Sequence, residues 1–166
     1  MIRSKRNPVS VKRLVKLPKS NGIDSIFVPI SKRKGAKLFS RKDKRDTCYE
    51  FQARLYEFGL APKVFDQFEV DYKGVHYWAY VTQRAEPVCK NVNSDENFGR
   101  CNNLEDAEKS YDLGPLVDAL AALGADWRDS HRGNLGFLGD RLVVIDCDPW
   151  YFGFQKDSPI KCKRAQ

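Results

Sequence analysis

The chain has 166 residues, 42% of them apolar, which is long enough to bury one core without disulfide staples and too apolar for a disordered polymer. No run approaches about eighteen consecutive apolar residues, and the basic N-terminus lacks an apolar stretch, so neither a membrane span nor a secretory signal is expected. Five dispersed cysteines (Cys48, Cys89, Cys101, Cys147 and Cys162), with no CxxC and no Cys/His cluster, argue against a zinc site and for free thiols in a reducing, cytoplasmic compartment. The net charge of +7 is uneven: residues 1–45 carry 15 Lys/Arg against 2 Asp/Glu, and the remainder 14 against 20. A basic half of this kind is either a solvated surface or a face for an anion, with nucleic acid and ATP as the two obvious anion classes.

In chain order, Val9 to Leu17 alternates enough to read as a strand, and "PKSNG" supplies turn chemistry centred on Asn21-Gly22. "DSIFVPI" is a second strand, with Pro29 marking an edge or an irregular stretch, and "AKLFS" is a third. Asp46 or Thr47 is placed to cap a helix, with Glu50 as capping-box partner of Thr47; Phe51, Leu55 and Phe58 recur at helical spacing, and Gly59 ends it. "KVFDQFEV", "YKG" and "VHYWAYVTQ" read as strand, turn and strand. Arg84 to Asn103 reads as loops, followed by helices in "LEDAEKSYDL" and "GPLVDALAALGA", the latter with Pro115 in its first turn. The expected fold class is α+β. Residues 1–84 form an antiparallel sheet with one helix, residues 85–166 a mainly helical part ending in a hairpin, and the two together one domain.

The stretch "DWRDSHRGNLGFLGDRLVVIDCDPW" gathers five aspartates around an apolar run. As a hairpin turning at Gly139-Asp140 it pairs Leu138 with Arg141 and Leu135 with Val144, and so brings Asn134 and Asp146 to one open end. Asp129, five residues before Asn134, can reach the same end. Two hard oxygen ligands side by side suit Mg²⁺; Asp and Asn also end strands simply because they make turns.

"DSHRGN" followed by "RLVVIDCD" resembles the catalytic core of the protein-kinase-like phosphotransferases, nearest the aminoglycoside and choline kinase branch. The resemblance implies Asp129 as the catalytic base, Asn134 and Asp146 as Mg²⁺ ligands, and His131 as an organiser of the loop. It further implies a third-strand lysine on the phosphates of ATP, matched by Lys37 in "GAKLFS". A helix glutamate pairs with that lysine, matched by Glu50 with Glu57 as the alternative. Backbone groups of Gln83 to Ala85 meet adenine. The sequence departs from the family in four ways. The first sheet turn lacks G-x-G-x-x-G, Trp127 stands where the loop's first His is expected, "DCD" replaces D-F-G, and only twenty residues follow Asp146, which implies a reduced C-terminal lobe. Small size and basic ends are compatible with a viral or mobile-element protein.

Three functions follow as expectations. The first is an ATP- and Mg²⁺-dependent phosphotransferase acting on a protein or small-molecule hydroxyl. The second is a catalytically silent kinase-like binding or inhibitor protein working through a protein partner. The third is a basic nucleic-acid binder. None involves a membrane.

Overall fold

The computed structural model describes residues 20–21, 25–88, 111–130 and 132–162. Five strands make one antiparallel sheet: β1 (Ser20–Asn21), β2 (Ile26–Pro29), β3 (Lys34–Phe39), β4 (Val64–Tyr72) and β5 (Val75–Gln83), in the order β1-β2-β3-β5-β4. Helix α1 (Lys42–Glu57) connects β3 to β4. Then follow β6 (Glu86–Pro87), helix α2 (Gly114–Ala122), β7 (Ala125–Trp127), β8 (Leu135–Leu138), β9 (Arg141–Val144) and β10 (Phe152–Phe154), with short 3-10 turns at Arg132–Asn134 and Pro149–Tyr151. Strands β6, β8 and β9 form a second sheet, and β7 pairs with β10. The α+β class and the antiparallel sheets are as the sequence implies. The helical character of the second half is not: its described residues hold one α-helix against five short strands. Segments such as "ADW" and "FGF" are too short to bury a helical stripe but long enough to pair, which favours the β7–β10 ladder. The strand expected over Val9–Leu17 and most of the helix expected in "LEDAEKSYDL" lie outside the described residues.

The two hairpins with two-residue loops follow from turn chemistry. Lys73 (φ 53°) and Gly74 (φ 77°) make a two-residue turn with positive φ at both positions, the type I′ requirement, and Tyr72 pairs with Val75. At Gly139 (φ 64°) only the first turn residue is left-handed, as type II′ demands, and the expected register from Leu138–Arg141 to Leu135–Val144 is the one observed. Asn21, expected in a turn, instead pairs with Ile26, so the chain reverses after it.

Helix α1 starts earlier than the capping pattern implies. Its N-cap is Arg41, Asp43 lies in its first turn, and the Thr47 hydroxyl donates to the Asp43 carbonyl (2.8 Å) from within the helix. The reason is the buried stripe, Arg45, Cys48, Phe51, Gln52 and Leu55, which begins two residues before Thr47 and keeps the helix on the sheet. Phe58, expected on that stripe, is 46% exposed as the C-cap. The helix closes with a Schellman pattern: Gly59 N–H donates to Tyr56 (2.9 Å) and Leu60 N–H to Leu55 (2.9 Å).

The larger core joins α1 to the second half of the chain. Phe51 and Leu55 pack with Leu60, Leu116, Leu120, Trp127, Leu135, Val144, Phe152 and Ile160. Phe51 meets Phe152 and Phe154 edge-on, with centroids 4.8 and 5.5 Å apart. A second cluster (Val28, Ala36, Leu38, Val70, Tyr72 and Ala79) lines one face of the five-stranded sheet. No helix among the described residues is long and apolar enough to cross a membrane. Phe51→Ala removes the ring that links α1 to β10 and is expected to cost about 3–5 kcal/mol in urea unfolding, whereas Tyr56→Ala on the exposed side costs about 0.5 kcal/mol or less.

Candidate functional site

Strand alternation decides where Lys37 goes. Its neighbours Ala36 and Leu38 pack into the sheet-face cluster, so Lys37 and Phe39 point to the opposite face, toward α1 and Tyr80. Lys37 is 9% exposed. Its ammonium donates to the Ile145 carbonyl (2.5 Å) and to Gln52 Oε1 (3.3 Å). Ile145 N–H in turn donates to the Asn134 carbonyl (2.8 Å). The contact therefore ties the middle of the first sheet to the open end of the β8–β9 hairpin, one residue before Asp146.

The helix residue facing Lys37 is Gln52, and Glu50 lies elsewhere. Two positions along a helix turn a side chain by about 200°, and Glu50 accordingly leaves the buried stripe and pairs with Arg54 (2.8 Å) one turn on. Glu57 is exposed at the last helical position. Gln52 is fully buried, and its amide is saturated. Oε1 accepts from Tyr80 Oη (2.8 Å) and Lys37, while Nε2 donates to the Pro62 carbonyl (2.8 Å) and Thr82 Oγ1 (2.7 Å). Two donors and two lone pairs are all the amide has, so its orientation is fixed by chemistry.

At the hairpin's end Asn134, 6% exposed, donates through Nδ2 to both the Asp129 carbonyl (3.0 Å) and Asp129 Oδ2 (2.9 Å). Both partners are acceptors, so the nitrogen must face Asp129 and Oδ1 lies on the other side of the amide. Asp129 is half-buried and Asp146 exposed. His131 lies outside the described residues. Gly136 permits the close packing behind this end: a Cβ there would come within 2.8 Å of Ile145 Cγ2 and 3.0 Å of Ala85 Cβ. Of the segment expected to meet adenine, Gln83 N–H donates to the Lys63 carbonyl (2.7 Å) and Arg84 N–H to the Arg33 carbonyl (2.8 Å).

Asp148, which the sequence leaves open between a further metal ligand and plain surface, is buried close to this end. It is 3% exposed, pairs with Lys44 of α1 (2.5 Å), and caps the following turn by accepting from Trp150 N–H (3.1 Å). The indole it positions is 81% exposed. The available signal was D-P-W itself, an Asp two residues before a donor at the start of a turn. Trp127, where the resemblance expects a histidine, is core: it stacks on Phe152 with centroids 5.8 Å apart and planes 4° apart. The strand carrying it leads into the Asp129 loop, and β10 closes against that strand from the far side of Asp148.

Two buried thiols sit in this charge field. Burial pushes Cys147 up to about 12; Lys37 opposes the shift while Asp146 and Asp148 add to it. Cys48 is raised further, by burial and then by Asp148. Burial also raises the Tyr80 hydroxyl well above its ordinary value. Lys37, Asp146 and Asp148 thus act on one small volume. No three His, Cys, Asp or Glu side chains among the described residues form a metal-holding group. The donor set here, one amide oxygen and one exposed carboxylate, fits Mg²⁺, which takes one or two protein oxygens and completes its shell with water and phosphate; it does not fit an all-protein cage.

No family model matches the chain, and no curated protein matches it. Among solved structures it is similar to a Helicobacter pylori proinflammatory kinase, CtkA, with 17% identity, 77% of this chain and 55% of that chain covered, and a TM-score of 0.39. The chain thus spans about half the length of that kinase.

Gln52→Met keeps the volume and strands Tyr80 Oη, the Pro62 carbonyl and Lys37; it is expected to cost more than about 3 kcal/mol in urea unfolding, since each unmade buried hydrogen bond costs roughly 1–3 kcal/mol. The raised thiols set an alkaline limit. A folded-state value above the unfolded one gives stability that is whole below the unfolded value, 9.0 for Cys147, and is lost as pH rises toward about 12. The urea midpoint should therefore stay level up to about pH 9 and fall above it, and Cys147→Ser should make that fall shallower.

Proposed function

We propose that the chain is an ATP- and Mg²⁺-dependent phosphotransferase of kinase-like fold, transferring the γ-phosphate to a hydroxyl of a protein or small molecule. The observation that carries this reading is the Lys37–Ile145 contact, which sets a buried ammonium one residue from Asp146 at the strand end that also holds Asn134 and Asp129. Lys37 binds and neutralises phosphate oxygens. Asn134 and Asp146 offer oxygens to the cation, which would supply charge neutralisation at the bridging phosphates. Asp129, steadied by the Asn134 amide, accepts the proton of the attacking hydroxyl. Phosphoryl transfer asks for positioning and charge more than for covalent chemistry, and these residues supply both. The proposal includes the division into residues 1–84 and 85–166, a nucleotide site between them bordered by Gln83 to Ala85, and a cytoplasmic setting.

A second reading, a silent kinase-like protein that acts by binding a protein partner, is favoured by one observation: α1 offers Lys37 the neutral Gln52, while Glu50 is held by Arg54. Phosphate transfer measured with Mg²⁺-ATP parts the two. The enzyme reading expects Asp129→Asn to lower kcat by about 10²–10⁴-fold, the usual contribution of a positioned base, and Asp146→Asn to raise the Mg²⁺ requirement. Turnover indifferent to both substitutions would sink it. Nucleotide binding with no turnover in the unaltered chain would favour the silent protein.

A further inference from the structure

The ligand-facing groups of this site are unevenly provided. On the phosphate side stands an ammonium that is 9% exposed and bonded to two neutral oxygens, the Ile145 carbonyl and Gln52 Oε1. Among the described residues no carboxylate lies within ion-pair distance of it. A cation taken out of water and met only by dipoles retains a strong demand for an anion. Gln52 cannot be exchanged for a helix carboxylate without cost, because its Nε2 donates to the Pro62 carbonyl and to Thr82, donations that an ionised Glu lacks. The charge on Lys37 is thus left for the ligand to balance.

On the base side the described residues leave few backbone donors unused. A purine is read by backbone donors and acceptors along its edge, and two of the three candidate N–H groups are already spent: Gln83 on Lys63 and Arg84 on Arg33. Past Ala85 the backbone is drawn into the second sheet, where Glu86 pairs with Phe137 and Pro87, which has no N–H, pairs with Gly136. Ala85 is left as that trio's remaining donor. ATP and GTP share the triphosphate and differ only along the purine edge.

We propose that the site selects its ligand by the polyphosphate and not by the base, so that it takes ATP, GTP and inorganic tripolyphosphate as one class. This rests on the phosphotransferase reading and narrows it, naming a purine-indifferent donor. Lys37 is the recognising charge and Gln52 the positioning residue that keeps it uncompensated.

The test is displacement of labelled ATP from the full chain at equilibrium, with Mg²⁺ present, by unlabelled ATP, GTP, tripolyphosphate and adenosine. The expected result is half-displacement by GTP and by tripolyphosphate within about tenfold of ATP, that factor being about one hydrogen bond's worth, and none by adenosine at the same concentrations. GTP or tripolyphosphate weaker than ATP by more than tenfold, or displacement by adenosine, overturns the inference and leaves the phosphotransferase reading standing. Failure of labelled ATP to bind at all removes that reading, and the inference falls with it. Every comparison is made on the unaltered protein, so none depends on a variant that folds.

Discussion

The arrangement turns on one buried ammonium. Lys37 leaves the middle of the first sheet and ends on the carbonyl of Ile145, so the two halves of the chain meet through a charge and a dipole as well as through hydrocarbon. A lysine at this depth is tolerated only if its hydrogens find oxygens. Two of those oxygens come from elements that are themselves fixed. Gln52 is saturated by four partners, and Ile145 is locked to Asn134 and, through the next residue back, to Leu60, whose carbonyl accepts from Val144 N–H (2.8 Å). The order runs from the period of a strand, to the face Lys37 occupies, to the register of a hairpin more than a hundred residues later in the chain.

Helix α1 is the second member of that construction. It delivers Gln52 to Lys37, Lys44 to Asp148 and Phe51 to β10. One rigid element therefore touches the sheet, the turn beyond Asp146 and the strand that closes behind the Asp129 loop. A small rotation of this helix would move a polar contact and a packing contact together, which ties the geometry of the site to the main core.

Much of this was readable from the amino acids. The two hairpins with two-residue loops were, because such a turn with glycine leaves few registers and each apolar run confirms the choice. Lys37 was readable as a third-strand lysine facing the helix, and Asn134 and Asp146 as neighbours at a strand end. The phase of α1 was not. Asp46 and Thr47 carry the side chains of a cap, but capping contributes about 1 kcal/mol and the burial of Cys48, Phe51 and Leu55 contributes several times that. The helix followed its core, and with the phase went the identity of the partner: Gln52 rather than Glu50. A glutamine amid apolar residues carries no mark of its role until Tyr80, Thr82 and Pro62 are folded around it. The burial of Asp148 was hidden for a similar reason, since its partner Lys44 lies 104 positions away. Strands β7 and β10 were missed because three-residue segments have no period to read.

The three tryptophans of this chain are unequally placed. Trp127 is sealed in a ring stack and Trp78 stands partly covered beside His76, whereas Trp150 projects from a turn that Asp148 pins in place. That indole gives the molecule an optical reporter of its own, fixed by its backbone to the charged rim and still wetted by solvent. Its emission colour registers the polarity next to Asp148 with no dye attached, against a buried indole that serves as the internal reference.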